Sequence, residues 1–350
     1  MKKVVFILPN LNAGGAERVA LNFLRQLDVD SSNITLVVFQ ETDQLLSLVP
    51  KYVDIIDLGT ISTSRSYFKL LSIIRKTKPS VVFSTHSRVA ALLLFLKPFC
   101  PKFKHVARMQ NTPSLEKKFS AYGPVKRKIY SLAFQRADVV ISQTEAMKKE
   151  GIDIFRISPA IVKVLPNPID TKYIDECIKY KFSPFPPGQI SAVASGRLAY
   201  AKGFDNLIFS LPEIVENHPN FVLYILGNDN GEEGRLKKLV CDLDLSNNVT
   251  FMGFQDNPYY YYAHCDLFIL SSRWEGFPNV LIENYYLNTP MVATTCVPIV
   301  KDLVLPGVNG FLTPPDDVEK LKDAVLKCLS LKRADIDNEY YANSLLESLL

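Results

Sequence analysis

Two glutamates in the second half of the sequence stand where parallel-sheet proteins bind their ligands. Glu275 and Glu283 are separated by seven residues and follow the apolar run 266–270, which predicts a buried strand. Pro278 lies between them and favours the first turn of a helix, where a missing N–H costs nothing. Glu275 is therefore predicted in a loop and Glu283 about one turn into the helix. Free N–H groups and the helix dipole at such a loop favour an anion.

Two cations upstream form a second candidate group. Arg197 and Lys202 follow a predicted strand over 191–194 and precede a predicted helix that starts at Phe204. Arginine binds a phosphate through two parallel hydrogen bonds, and lysine binds it as a point charge. The pair therefore predicts a phosphate contact. Each group alone has an ordinary alternative, since cations on a loop are often only solvated and a glutamate early in a helix is often only an electrostatic cap.

Taken together, the charged groups fit a nucleoside diphosphate that carries a sugar. A carboxylate accepts two hydroxyl hydrogens, which suits Glu283 to a ribose diol. Glu275 and the backbone of 276–279 are placed to hold a sugar ring and a phosphate. Gly253 and Phe254 end another predicted strand, where backbone groups can pair with a flat base. The chemistry predicted for this half of the chain is therefore the binding of a nucleotide-sugar.

The elements that must position these residues alternate between strand and helix along most of the chain. This α/β pattern is typical of doubly wound parallel sheets, and a proline-rich, aperiodic stretch over 179–188 interrupts it. The predicted parts are a first Rossmann-like domain over 1–170, a linker over 171–188, a second Rossmann-like domain over 189–334 and a helix over 335–350. The sequence leaves open whether that last helix crosses back to the first domain.

Polar residues also gather at the predicted ligand-binding edge of the first domain. Gly14 and Gly15 follow the first strand, where the absence of side chains permits a ligand to approach a helix N-terminus. His86 follows a later strand, and Arg108 and Asn111 follow the next one. Because the carboxyl ends of parallel strands meet at one edge, these residues are predicted to lie on one side of the sheet. The glycine spacing does not match the dinucleotide-binding fingerprint.

The composition narrows the class of protein. The chain has 350 residues, of which 47% are hydrophobic and 22% are charged, as in ordinary globular proteins. No apolar run reaches the length of a transmembrane helix, and the basic-apolar N-terminus lacks the small-residue cleavage site of a signal peptide. The 6 cysteines contain no Cys-x-x-Cys pair, and the 4 histidines show no metal-ligand spacing. This predicts a cytoplasmic protein without disulfides or a bound metal.

The net charge of +4 is unevenly distributed along the sequence. Residues 1–170 contain 25 lysines and arginines against 13 acids, whereas residues 171–350 contain 15 against 23. Over 60–140, 16 basic residues stand against only Glu116 and Asp138. Such a basic half indicates an anionic partner, either a membrane surface or nucleic acid. Nucleic acid is not predicted, because no basic motif with interleaved aromatic residues is present.

These motifs resemble the retaining glycosyltransferases of family 4, which have the GT-B fold. The resemblance is carried mainly by Ser195-Gly-Arg-Leu198, Lys202-Gly203, Gly253-Phe254 and Glu275-Gly-Phe-Pro-Asn-Val-Leu-Ile-Glu283. Shorter segments that support it are Gly14-Gly-Ala-Glu-Arg18, Pro166-Asn-Pro-Ile-Asp170, Asn288-Thr-Pro-Met-Val-Ala293 and Gly307-Val-Asn-Gly-Phe311. One departure is the loop after Gly227, which reads Asn-Asp-Asn-Gly-Glu-Glu in place of the family's usual Gly-Asp-Gly-Pro and leaves the contacts of the donor base undetermined.

The resemblance implies two facing Rossmann-like domains with the active site in a central cleft and no metal or cofactor. Arg197 and Lys202 would neutralise the leaving diphosphate, while Glu275 and His86 would contact the donor sugar. The other donor contacts that we assign are Gly15, Gly253, Phe254, Gly276, Phe277, Pro278, Asn279 and Glu283. The acceptor contacts that we assign are Gly14, Arg108 and Asn111.

The sequence therefore predicts a retaining, metal-independent transferase that moves a hexose or N-acetylhexosamine from a UDP-sugar. Its predicted acceptor is a lipid-linked glycan or a glycolipid in bacterial surface polysaccharide synthesis. The basic region 60–140 is predicted to meet the inner face of the cell membrane, with the apolar run 92–96 mostly in the core. Two alternatives remain, a sugar-nucleotide epimerase of the GT-B fold and a non-catalytic module that binds a nucleotide or a glycan. Titration with UDP and a transfer assay separate them.

Overall fold

The structure is a computed structural model that describes residues 2–12, 14–27, 32–40, 43–60, 62–114, 123–180 and 182–333. It divides into two compact units, of which the first ends at Ile169 and the second begins at Asp170. Each unit has its own parallel sheet and its own core. The helix predicted over 335–350 lies outside the described residues.

The first unit is built on a parallel sheet of seven strands in the order β3-β2-β1-β4-β5-β6-β7. The strands are β1 (Lys2–Leu8), β2 (Ser32–Val38), β3 (Asp54–Asp57), β4 (Val81–Ser84), β5 (Lys104–Arg108), β6 (Val139–Ser142) and β7 (Val162–Val164). The helices are α1 (Gly15–Arg25), α2 (Thr63–Thr77), α3 (Ser87–Leu96), α4 (Pro124–Gln135) and α5 (Glu145–Asp153). The strand order reverses beside β1, and open sheets bind ligands at such a point.

Apolar side chains on both faces of the central strands hold the first sheet together. Phe6 of β1 and Phe83 of β4 stack with their ring centroids 4.6 Å apart. Leu93 and Leu96 of α3 are fully buried, which confirms that the apolar run after residue 88 is mainly a core helix. Phe95 is the exception, because it is 53% exposed.

The second unit contains a six-stranded parallel sheet in the order β10-β9-β8-β11-β12-β13. Its strands are β8 (Ile190–Ser195), β9 (Phe221–Leu226), β10 (Val249–Gly253), β11 (Leu267–Leu270), β12 (Met291–Thr294) and β13 (Gly310–Thr313). Its helices are α6 (Thr171–Cys177), α7 (Phe204–Phe209), α8 (Leu211–Asn217), α9 (Glu233–Asp242), α10 (Pro258–His264), α11 (Asn279–Tyr286), α12 (Val300–Leu303) and α13 (Val318–Cys328). Since β8 pairs with both β9 and β11, the loops that follow these three strands are neighbours.

The helices differ from the pattern that the sequence predicts in three places. The single helix predicted to start at Phe204 is two helices, α7 and α8, because Pro212 at the start of α8 has no N–H to continue the first. The helix α10 is not predicted, since its four consecutive tyrosines are weak helix formers, yet the Asn257 side chain caps it by accepting from the Tyr260 N–H at 3.2 Å. The stretch expected to be a linker contains α6, which is part of the second unit.

No helix in the described ranges combines the length and the apolar character needed to cross a bilayer.

Candidate functional site

The loops after β8 and β11 bring the predicted cation and the predicted acid into direct contact. Lys202 ends a short 3₁₀ turn, Tyr200–Lys202, and its Nζ lies 2.6 Å from Oε1 of Glu275. The Ser272 hydroxyl donates to the same oxygen at 2.7 Å. The side chains of Lys202 and Glu275 are only 22% and 13% exposed, so water screens the pair weakly. A largely buried ion pair therefore lies at the carboxyl edge of the sheet.

Gly203 permits the close approach of the two loops. Its backbone is left-handed, with a φ of +62°, and a Cβ at this position would lie 2.2 Å from the carbonyl oxygen of Ser271. The Ser271 hydroxyl donates to the Lys202 carbonyl at 2.8 Å, and the Arg273 N–H donates to the Ala201 carbonyl at 2.8 Å. The glycine is therefore required both by its dihedral angles and by the backbone that packs against it.

Replacing Gly203 by alanine is expected to destabilise the second unit. The left-handed backbone alone costs an alanine about 1–2 kcal/mol, and the clash with the Ser271 carbonyl adds to this. Gly307→Ala is the matched control, because Gly307 has a φ of +77° with nothing within 4 Å of its Cβ position. Urea unfolding should show a clearly larger decrease in the free energy of unfolding for Gly203→Ala than for Gly307→Ala. Equal losses for the two variants would contradict a packing role for Gly203.

Arg273 links the loop that carries Glu275 to the turn that carries Lys202. Its guanidinium pairs with Asp205 at 2.8 Å and with Asp316 at 2.7 Å, and lies over the Tyr200 ring at 3.9 Å from the centroid. Burial alone would raise the pKa of Asp205, but the hydrogen bonds and charge of Arg273 outweigh it and lower that pKa below its ordinary value. Sequence reasoning did not single out either residue.

Glu283 lies in α11, as its spacing predicts. It is 7% exposed, and the Tyr259 hydroxyl lies 3.5 Å from its Oε1. The run 276–279 offers fewer free amides than the sequence suggests. Pro278 has no N–H, and the N–H of Asn279 donates to the Phe277 carbonyl at 3.0 Å. The amides available to an anion in this run are therefore those of Gly276 and Phe277.

Arg197 leaves β8 in the exposed position expected of a ligand-binding cation. It is exposed and forms no ion pair with the residues that the structure describes. The neighbouring Gly227 packs on this segment, since a Cβ there would lie 1.9 Å from the Gly196 carbonyl oxygen. The Leu198 N–H donates to Asn228 at 2.9 Å, so the loop that departs from the family pattern lies beside Arg197.

The predicted base contacts lie at the end of β10, which neighbours β9. Gly253 is exposed and left-handed, with a φ of +66°, and Phe254 is half-buried. The carbonyl of Gly253 accepts from the Gly227 N–H at 2.8 Å, so it already has one partner within the fold. Contact of these residues with a base stays a prediction.

In the first unit, Gly14 and His86 lie together with Glu17, an acid that was not predicted to be a site residue. Glu17, in the first turn of α1, is 9% exposed, and its Oε1 lies 3.5 Å from the His86 Nε2. The Thr85 hydroxyl donates its single hydrogen to the Ile7 carbonyl at 3.1 Å, so the His86 Nδ1 is the donor in its 2.8 Å contact with Thr85. This leaves Nε2 as the ring atom that faces Glu17.

The Arg108 side chain is buried within the first unit and does not face solvent. It is 3% exposed, and its Nη2 donates to the Asn167 side chain at 2.6 Å. Burial lowers the pKa of Arg108 to about 10, while the charge of Glu17 acts in the opposite direction. Asn111 is exposed. Gly15 begins α1, as expected for a residue at a helix N-terminus. Contact of these residues with donor or acceptor stays a prediction.

The cysteines are expected to differ sharply in alkylation by iodoacetamide. Burial raises the pKa of the Cys265, Cys296 and Cys328 thiols to about 12, and the charge of Glu275 adds to the effect at Cys296. Cys241 is exposed. Since only the thiolate reacts, mass spectrometry at pH 8 should find Cys241 modified first and the other three protected. Early modification of Cys296 would contradict this. Cys241→Ser is the control that removes the fast site.

Two family profiles match the chain. The profile of the group 1 glycosyl transferases matches residues 178–344, and that of Glycosyltransferase Family 4 matches residues 13–173. The two matches lie on the two units and together cover nearly the whole chain. The chain therefore belongs to the glycosyltransferases with the GT-B fold. Its first half matches the family 4 profile, and its second half matches the group 1 profile.

Individual relatives agree with this assignment. An uncharacterized glycosyltransferase of Methanocaldococcus jannaschii is 30% identical over 252 residues, which are 69% of this chain and 62% of that protein. A Campylobacter jejuni N-acetylgalactosamine-N,N'-diacetylbacillosaminyl-diphospho-undecaprenol 4-alpha-N-acetylgalactosaminyltransferase is 27% identical over 84% of this chain and 81% of its own length. The crystal structure of Anabaena HepE in complex with UDP-glucose has a TM-score of 0.77 at 20% identity, covering 94% of this chain and 90% of that one, and shares its fold.

Proposed function

We propose that this protein is a retaining glycosyltransferase that moves a hexose or an N-acetylhexosamine from a UDP-sugar to a lipid-linked glycan or a glycolipid. The observation that carries the proposal is the Lys202–Glu275 contact at 2.6 Å, with exposed Arg197 on the same loop as Lys202. The contact places an ammonium and a carboxylate together at the carboxyl edge of the sheet, and the proposal requires these two groups for the leaving diphosphate and the transferred sugar.

In this proposal the cations neutralise the diphosphate that leaves the sugar. Arg197 and Lys202 stabilise the negative charge that develops on the leaving group, which is the largest single contribution in many such reactions. Glu275 contacts the sugar, and buried Glu283 accepts hydrogen bonds from the ribose diol. His86 is assigned to the donor sugar. The leaving phosphate takes the proton of the acceptor hydroxyl, so neither glutamate acts as a general base.

The choice of donor and acceptor is supported by relatives. The name of the Campylobacter relative describes transfer of N-acetylgalactosamine to a sugar linked through a diphosphate to undecaprenol. A Rhizobium meliloti relative that is 34% identical over 38% of this chain is named a lipopolysaccharide core biosynthesis glycosyltransferase. We extend both descriptions to this chain as a role in surface polysaccharide synthesis. Transfer without a metal ion or another cofactor is part of the same proposal.

The experiment is a transfer screen across nucleotide-sugars. Native protein is incubated with each UDP-, GDP- and ADP-sugar in turn and with a short-chain polyprenyl-diphosphate-linked sugar, with and without EDTA. NMR of the product then gives the anomeric configuration. We expect one UDP-sugar to be used, with retention and in the presence of EDTA. Inversion, a GDP- or ADP-sugar donor, or loss of activity in EDTA would each overturn the corresponding part of the proposal. Epimerisation of the donor without transfer would favour the alternative enzyme class.

We further propose that the protein works at the cytoplasmic face of the membrane, which it meets through the basic region 60–140. The exposed face of α2 includes Arg65, Phe68 and Lys76, and Phe68 is 70% exposed. The Tyr67 hydroxyl reaches the Phe95 carbonyl at 3.4 Å, so α2 and the exposed Phe95 of α3 belong to one surface. Exposed phenylalanines among basic side chains suit an anionic bilayer interface. Lys117 and Lys118 of this region lie outside the described residues.

Sedimentation with vesicles tests this membrane surface. We expect binding to phosphatidylglycerol vesicles that weakens in high salt, and loss of binding in Phe68→Ser/Phe95→Ser. Phe209→Ser is the matched control, since Phe209 is 49% exposed in the second unit. Equal binding to neutral vesicles in high salt, or unchanged binding of the double variant, would contradict the proposal.

A further inference from the structure

We propose that Arg273 and Asp205 are positioning residues, which set the distance between Lys202 and Glu275 without touching the substrate. This inference rests on the proposed function, because the distance matters only if those two side chains act on one donor. Lys202 and Glu275 lie on different loops, after β8 and β11, and their 2.6 Å contact depends on how those loops are held together.

Arg273 belongs to the Glu275 loop, but its side chain is bound to the Lys202 turn. It is two residues before Glu275, and its side chain is only 7% exposed. Its Nη1 donates to the Tyr200 carbonyl at 2.8 Å, and its guanidinium lies 3.9 Å above the centroid of the Tyr200 ring. The guanidinium thus contacts Tyr200 twice, with an N–H on the carbonyl and with its planar face on the ring, and Tyr200 is the residue at which the turn of Lys202 begins.

Asp205, which follows Lys202 in the sequence, binds the same guanidinium. It lies in the first turn of α7 and accepts from Arg273 Nη1 at 2.8 Å and from Nη2 at 3.2 Å. Arg235 of α9 also donates to Asp205, at 3.1 Å. Tyr200 and Asp205 flank Lys202 in the sequence, so a single guanidinium fixes the backbone before and after that lysine. The pair is largely buried, since the side chain of Asp205 is 10% exposed.

Asp316 provides a comparison on the same arginine. Its Oδ1 lies 2.7 Å from the Arg273 Nε, but its side chain is 59% exposed and belongs to the loop after β13. Among the described hydrogen bonds it contacts neither Tyr200 nor Lys202, and its other partner is the Asn206 side chain of α7, which donates to its Oδ1 at 2.8 Å. Asp316→Asn therefore leaves the contacts of Arg273 with Tyr200 and Asp205 in place, whereas Asp205→Asn weakens the two-point ion pair that ties Arg273 to the start of α7. The two substitutions change the net charge equally and differ in which contact of Arg273 they weaken.

The test compares Asp205→Asn, Arg273→Lys and Asp316→Asn with the native protein. We expect Asp205→Asn and Arg273→Lys to lower kcat by at least tenfold and to weaken UDP binding at least threefold, because a misplacement of about 1 Å at a reacting group costs on the order of 100-fold. Lysine at 273 keeps the charge but loses the fork and the stacking. Asp316→Asn is expected to stay within twofold of native in both measurements. Circular dichroism identifies a temperature at which every variant is folded.

The outcomes separate the two proposals. If the native protein binds UDP but transfers no sugar, the proposed function fails, and the UDP affinities of the variants still test the positioning role. A purely structural role would lower the Tm of Asp205→Asn and leave kcat and UDP affinity of the folded protein unchanged, which would overturn the inference. Equal effects of Asp205→Asn and Asp316→Asn would overturn it as well. A native protein without UDP affinity would overturn both proposals.

Discussion

Lys202→Met is expected to lower turnover by about 100- to 1,000-fold while the protein stays folded. Methionine keeps the length and the apolar stem of lysine but removes the ammonium that the proposal places on the leaving diphosphate. Loss of one such charge-stabilising donor in other enzymes has an effect of this size. UDP affinity should fall too, because the same charge attracts the diphosphate of the free nucleotide. The measurements are kcat in the transfer assay and the UDP Kd by calorimetry.

The control for this prediction is Lys238→Met. Lys238 is exposed on α9 of the same unit, so its substitution removes the same charge at a distance from the loops of the site. We expect native kcat and Kd for the control. Turnover of Lys202→Met within twofold of native would show that Lys202 does not act on the leaving group.

Glu275→Gln is expected to uncouple binding from turnover. In the structure the Glu275 carboxylate holds the Lys202 ammonium at 2.6 Å, so a diphosphate must compete with it for the same cation. Glutamine keeps the shape, and its carbonyl oxygen can still accept from the Ser272 hydroxyl. The substitution removes a negative charge that repels the diphosphate and leaves Lys202 available. UDP should therefore bind about 2- to 5-fold more tightly, since a partly exposed ion pair contributes up to about 1 kcal/mol.

Turnover of the same variant should fall by at least tenfold, because the proposal gives the carboxylate a contact with the transferred sugar. Lys202→Met is thus expected to weaken UDP binding and Glu275→Gln to strengthen it, whereas both substitutions lower kcat. A weaker UDP affinity for Glu275→Gln would show that the carboxylate supports nucleotide binding and does not compete for Lys202. Glu233→Gln, at the start of α9, is the matched charge control.

Much of the fold could be predicted because hydrophobic periodicity is local. The strands predicted over 191–194 and 266–270 are β8 (Ile190–Ser195) and β11 (Leu267–Leu270), each within one residue of its predicted bounds, since each is a short apolar run between polar or turn residues. The helix α10 escaped prediction for the converse reason. Its tyrosines have low helix propensity, and the cap from Asn257 together with tertiary packing decides its conformation.

The sequence by itself determined the residue types of the site and the element on which each one lies. Glu283 is in a helix and Glu275 in a loop, as the Glu-x7-Glu spacing around Pro278 predicts, because capping and proline effects act within one turn. Arg197 and Lys202 likewise follow a strand and precede a helix.

Only the tertiary structure decided which of these residues touch. Glu275 contacts Lys202 across 73 positions of sequence, because β8 and β11 are neighbours in the sheet, and strand order is not encoded in any local pattern. The same holds for Arg273 with Asp205, and for Glu17 with His86, where two strand ends of one sheet bring separate segments together. Burial also gave Arg108 a partner in Asn167 that its position in the sequence does not indicate. Local sequence patterns thus determine which residue types follow each strand, and the packing of distant segments determines which of those side chains come into contact.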